Sequence, residues 1–211
     1  MPTGLIHIED ERGSQYLRLR DADFMNYKPY AALSYCWGRK QLNITTTQNI
    51  HQNHRRINIW ELPLSLQDAD SITINLRLPC LRIGALYIIQ DDTDDRAHEI
   101  SQMPLVYSKA TVTIVASRVS EANEGFLRDR LLLVNEEAEH VFKIPYQLKK
   151  DADPVGPIVL LPQVMDLVEP PSQRAWALQE RLMSPGIPEY GSLQTRWICN
   201  HSLKHKRKIY C

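Results

Sequence analysis

The sequence lacks any apolar run near the ~20 residues that a membrane-spanning helix needs. It lacks net charge as well. Lys+Arg and Asp+Glu balance at 25 each, so no global field draws the chain to nucleic acid or to an anionic membrane. The start, MPTGLIHIEDERG, has neither the basic region nor the apolar region of a secretory signal, and a cytoplasmic protein is expected. Cys36, Cys80, Cys199 and Cys211 show no CxxC spacing and no paired histidine ligands. That excludes a structural zinc module and leaves buried, reduced thiols. No GxGxxG and no GxxxxGK[ST] is present, so both phosphate-cradling fingerprints are absent. The histidines are scattered, without a Ser-His-Asp or Cys-His arrangement. There is no internal repeat and no low-complexity segment.

What is present centres on residues 81–117. An apolar run at 82–90 leads into four carboxylates, Asp91, Asp92, Asp94 and Asp95. The run predicts a strand covered on both faces. From Asp95 the period changes. Ala97, Ile100, Met103, Tyr107 and Ala110 recur every three or four residues and predict a helix, capped by Asp94 or Asp95. Pro104 predicts a kink or break in it. Residues 111–116 read as the next buried strand. Strand, acidic loop, helix, strand is the order of a parallel βαβ unit, with the 82–90 and 111–116 strands as neighbours. Ligands bind at the carboxyl ends of such strands, where the aspartates fall. Their oxygens suit Mg²⁺, but a solvated acidic loop is the plainer reading and no metal is expected.

Around this unit, residues 1–29 alternate like a small hairpin or meander, and Tyr30 to Gly38, YAALSYCWG, reads as a short strand ended by glycine. Residues 62–76 predict an amphipathic helix with Ser65 as N-cap. HVFKIPY and PIVLLPQV read as an antiparallel pair outside the main sheet. Residues 174–183 predict a helix with Ala175, Leu178 and Leu182 on its core side, leaving Arg174, Gln179 and Glu180 as a polar face. Trp176 and Trp197 read as core or interface anchors. Residues 187–190 and 194–199 read as two short hairpin strands around Gly191-Ser192. The tail HSLKHKRKIYC is basic and reads as a solvated end.

Three segments in order carry a family resemblance. YAALSYCWG, then ALYIIQDDTDDRAHEISQMPLVYSKATVTIVAS with the later EGFL, then RAWALQERLMSPGIPEYGSLQTRWIC resemble the three blocks of the fungal heterokaryon incompatibility (HET) domain. The resemblance covers about residues 30–199, and the whole chain, 1–211, is read as one such domain. It implies a role in non-self recognition and programmed cell death, acting through protein partners or self-association. It also implies a distant likeness to Toll/interleukin receptor (TIR) domains, hence a flavodoxin-like α/β fold: a mostly parallel sheet flanked by helices, with a small additional β element. Some TIR domains cleave NAD with a glutamate on a helix after a core strand, and Glu99 matches the HET glutamate so placed. Under that alternative NAD is the substrate and Glu99 the catalytic carboxylate. Tyr35, Trp37, Gly38, Asp91, Asp92, Arg174, Gln179 and Glu180 then form the ligand-binding set. Arg174 would pair with a carboxylate of the middle block and close the site. The chain departs from the family pattern at Gly84 (aspartate expected), Arg82 and Arg96 (tryptophan expected) and Gly186 (arginine expected), the marks of a diverged copy.

Overall fold

Residues 4–11, 13–21, 28–38, 43–129, 142–146, 156–160, 169–173 and 175–199 are described by a computed structural model. The chain divides into two compact units, Met1–Arg128 with Glu169–Cys211, and Asp129–Val168. In the second, β6 (Phe142–Tyr146) and β7 (Gly156–Leu160) pair antiparallel as a separate two-stranded sheet, as their sequences predict.

The larger unit is built on a seven-stranded sheet of order β2-β1-β4-β3-β5-β8-β9. Its strands are β1 (Gly4–Glu11), β2 (Ser14–Asp21), β3 (Tyr30–Ser34), β4 (Cys80–Arg82), β5 (Val112–Val115), β8 (Gly186–Tyr190) and β9 (Thr195–Cys199). The central strands β4, β3, β5 and β8 run parallel, and an antiparallel hairpin closes each edge. The fold is therefore α/β with a mixed sheet. Every residue of β3, β4 and β5 is buried, as expected for parallel strands covered on both faces. In the first hairpin, Ile6 faces Leu19 and Ile8 faces Leu17. Gly13, at φ +83°, supplies the left-handed turn residue.

The helices are α1 (Ile50–Asn53), α2 (Leu64–Asn75), α3 (Gly84–Tyr87), α4 (Thr93–Lys109) and α5 (Ala175–Met183). Helix α2 places Leu66, Ala69, Ile72 and Thr73 inward, the predicted stripe. Ser65 does not cap it. Pro63 precedes the helix, and Ser65 is buried with its N–H donated to the Ala122 carbonyl at 2.9 Å.

Four further expectations are corrected. The apolar run 82–90 is not one strand. Pairing stops at Arg82, and the chain turns into α3, with Tyr87 N–H on the Ile83 carbonyl and Ile88 N–H on that of Gly84, both at 3.1 Å. A short apolar run satisfies burial equally as strand or helical turn, so periodicity does not separate them. The strands flanking α4 are not neighbours either, because β3 lies between β4 and β5. Helix α4 also runs through Pro104 without a break, and its N-cap is Asp92, whose Oδ1 accepts the N–H groups of Asp94 and Asp95 at 2.9 and 3.0 Å. The backbone bond that Pro104 removes belongs to Ile100, which is 42% exposed, so water can reach that turn.

Candidate functional site

The carboxyl end of β3 opens into a cavity of about 310 Å³. Leu33, Tyr35 and Trp37 line it from β3 and the segment that follows. Helix α4 contributes Arg96, Ile100, Met103 and Tyr107, spaced so that they share one helix face. Gly84, Ile88 and Gln90 close a third side, and α5 brings Trp176 and Glu180. The site thus sits at the carboxyl end of parallel strands, where open α/β sheets bind ligands.

Glu180 is 7% exposed. Its Oε2 accepts the Ser34 hydroxyl, tying α5 to β3. One turn on, the buried Ser184 hydroxyl donates to Thr113 Oγ1 at 2.6 Å, which seats the same helix on β5. The predicted core stripe of this helix is corrected here. Ala177 and Glu180 point inward, while Leu178 and Leu182 are 62% and 64% exposed. Helical spacing selects a face but not its direction, and a hydrogen-bonded carboxylate can occupy the inner one.

Glu99 takes a different environment. It is 1% exposed and does not line the cavity. Its Oε2 lies 2.7 Å from Arg82 Nη2, and the Tyr87 hydroxyl donates to Oε1 at 3.3 Å. The Arg82 guanidinium lies over the Tyr87 ring, 3.7 Å from its centroid, and donates to the Gly4 carbonyl at 3.3 Å. This cluster joins β1, β4, α3 and α4.

The aspartates serve the loop itself. Asp91 accepts the Thr47 hydroxyl at 2.7 Å and the Thr47 N–H at 2.8 Å, and these bonds hold its carboxyl below the usual range. Asp92 caps α4, and Asp95 accepts the Ile89 N–H at 2.8 Å. Among the described residues, no group of three or more His, Cys, Asp and Glu side chains is placed to hold a metal ion. Gly38 has φ +81°, and a Cβ there would meet Glu121 Cγ at 2.8 Å, so its small size admits a protein neighbour. Gln179 is half-buried outside the cavity lining. Arg174, the basic tail and the acidic run at Glu136, Glu137 and Glu139 lie outside the described residues.

Of the residues singled out from sequence, the cavity therefore gathers Tyr35, Trp37 and Glu180. Sequence reading missed Ser34, Gln90 and Arg96 as site residues and gave Met103 and Tyr107 only as part of a helical repeat. The spacing of 96, 100, 103 and 107 was the available signal.

With this geometry in view, the comparison with known families is decisive. Residues 30–180 match the model of the family described as heterokaryon incompatibility protein (HET). The chain belongs to the HET family. No curated protein and no solved structure matches it. The matched span of this HET domain runs from the first residue of β3 to Glu180 and contains every residue lining the cavity. The EGFL segment of the HET resemblance is explained by packing. Gly125, at φ +68°, turns the chain so that the Phe126 and Leu127 N–H groups reach Asp68 Oδ2 at 2.6 and 3.0 Å. Phe126 then enters the core against Tyr190. No described helix of the HET domain is long and apolar enough to cross a membrane.

Proposed function

We propose that this chain, 1–211, acts as one HET domain in fungal non-self recognition and signals cell death through binding, either to protein partners or to itself, and not through catalysis by Glu99. The observation that carries this reading is the enclosure of Glu99. A carboxylate paired at 2.7 Å with a buried guanidinium and sealed from the cavity has no reach to a substrate. Overexpression in a filamentous fungus tests the signalling role. Growth arrest or death is expected, and normal growth at high expression of the folded protein would sink it.

NAD cleavage of the TIR type is the second reading. It is favoured by one feature, an aromatic-walled cavity at strand ends with a carboxylate inside it. Such a carboxylate can stabilise the oxocarbenium-like state of glycosidic cleavage. Incubation with NAD and assay of free nicotinamide tests it. Removing Glu99 alone is a poor control, because stranding one member of a buried ion pair costs about 3–5 kcal/mol. Replacing both partners with apolar residues, Arg82→Met with Glu99→Leu, should leave stability within about 2 kcal/mol of the parent by denaturant titration. Nicotinamide release that survives this double substitution excludes Glu99 as the catalyst. Release that disappears while the fold persists would restore it.

A further inference from the structure

We propose that an open groove beside β2, lined by Arg55, Arg56 and Trp60, binds single-stranded nucleic acid, with the indole as stacking platform and the guanidiniums on phosphates. The local sequence, RINIW at 56–60, builds it by alternation. Ile57 and Ile59 are buried at 7% and 3% exposure, and Arg56, Asn58 and Trp60 between and beside them are exposed. Two backbone bonds pin this segment to β2. Leu17 N–H donates to the Ile57 carbonyl at 3.1 Å, and Ile57 N–H to that of Leu17 at 2.7 Å. Asn58 then caps the short turn Ile59–Glu61, its Oδ1 accepting the Trp60 N–H at 3.2 Å. The backbone under the outward side chains is therefore ordered before any partner arrives, which lowers the entropic cost of binding.

The groove has a volume of about 550 Å³. Trp60 is 77% exposed, so most of its indole surface stays in water. Arg55 is exposed, and its carbonyl is held by Arg18 Nε at 2.8 Å. The Arg56 guanidinium lies 4.6 Å from the centroid of the Tyr16 ring, which steadies it. The lining holds one carboxylate, Glu61, whose Oε1 accepts the Asn58 amide at 2.8 Å. Two guanidiniums against one carboxylate make the groove locally basic although the whole chain is balanced. The planar guanidinium fork suits phosphate oxygens. A basic groove with an exposed aromatic platform is the combination that binds single strands, because every base has a face to stack. A duplex keeps those faces within its own stack. An acidic protein segment would satisfy the arginines and bring no run of rings to Trp60.

The test is fluorescence anisotropy of a labelled oligothymidylate of about ten nucleotides, titrated with the purified chain between about 50 and 200 mM salt. Saturable binding that weakens with salt is expected, with a duplex of the same length bound more weakly. Trp60→Ala should weaken binding about tenfold, and Trp60→Phe should keep most of it. Arg55→Gln should reduce the slope of log affinity against log salt by about 0.7, the share of one phosphate contact on a single strand. All three positions are exposed, so the thermal midpoint should not move. Absence of saturable binding at low salt would overturn the proposal. So would equal affinity for the duplex, or an unchanged salt slope in Arg55→Gln. Parental affinity in Trp60→Ala would assign the binding to another basic segment, such as the tail, and would also overturn it. Displacement by polyglutamate at lower concentrations than by unlabelled oligonucleotide would overturn it in favour of an acidic protein partner. Neither functional reading above rests on nucleic acid, so both survive failure here.

Discussion

Asp70 shows how a single buried group sets the pH response of this chain. It sits on α2 at 3% exposure, accepts the Gln15 side chain on Oδ2, and has no hydrogen-bond partner for Oδ1 among the described residues. Burial pushes its carboxyl up to about 6, against the small opposing effect of Gln15. The native chain then holds a proton more tightly than the unfolded chain. Its contribution is fully present below pH ~4 and is lost as pH rises through about 6. A shift of about two units corresponds to roughly 3 kcal/mol lost at neutral pH. Asp70→Asn is neutral at every pH. It should raise stability at pH 7 by about 1–3 kcal/mol and change it little at pH 4, measured by urea unfolding. An equal gain at both pH values would show that charge is not the cause. The cysteines divide in the same residue-specific way. Cys36 and Cys80 are buried and free, and burial pushes the Cys80 thiol up to about 12, so it is inert toward oxidants at neutral pH. Cys199 is exposed, contrary to the expectation of buried thiols.

At the level of elements, α5 is the part sequence patterning reads backwards. Its outer face carries Leu178, Leu182 and Met183, at 62%, 64% and 43% exposure, with Trp176 at 51%. Substituting Leu178→Lys with Leu182→Lys should alter stability by less than about 1 kcal/mol in thermal unfolding, because neither side chain is in the core. A loss of several kcal/mol would mean the stripe is covered. The next element is held electrostatically. Glu189 of β8, 1% exposed, is paired with Arg181 of α5 and with Arg196 of β9 at 2.9 Å, and accepts the Ser117 hydroxyl at 2.7 Å. Glu189→Ala removes the carboxylate between two arginines that are 30% and 40% exposed, and should cost about 1–3 kcal/mol by denaturant titration. Where the sequence is legible, the reason is local. The hairpins of β1–β2, β6–β7 and β8–β9, helix α2 and strand β5 follow from alternation, helical stripes and turn residues. The 82–90 run fails because a short apolar run is buried equally well as strand or helical turn, and the neighbour of β5 fails because sheet order depends on contacts distant in sequence.

On the scale of the molecule, the sheet has a protected centre and two hairpin edges. Strands β3, β4 and β5 are wholly buried, while β9 is exposed at Trp197 and Ile198. Native-state hydrogen exchange should find the amides of β3 and β5 the slowest, opening only with global unfolding, and those of β9 faster. Comparable protection across all seven strands would argue against this gradient. The family resemblance made the α/β class readable before any contact was known, since its three blocks hold β3, α4 with β5, and α5 with β8. It located the cavity less well. The carboxylate proposed for catalysis from the family pattern, Glu99, is enclosed, and the one that lines the cavity, Glu180, was expected only as one member of a polar face on α5.

The bond between Ser34 and Glu180 joins positions 146 residues apart. During synthesis at about 10 residues per second, roughly 15 seconds separate the appearance of the two groups. Over that interval the β3 side of the cavity exists without its α5 wall. A chain that stops before α5 therefore has the Tyr35 and Trp37 side of the cavity and lacks Trp176 and Glu180. The cavity is complete only once α5 has been made.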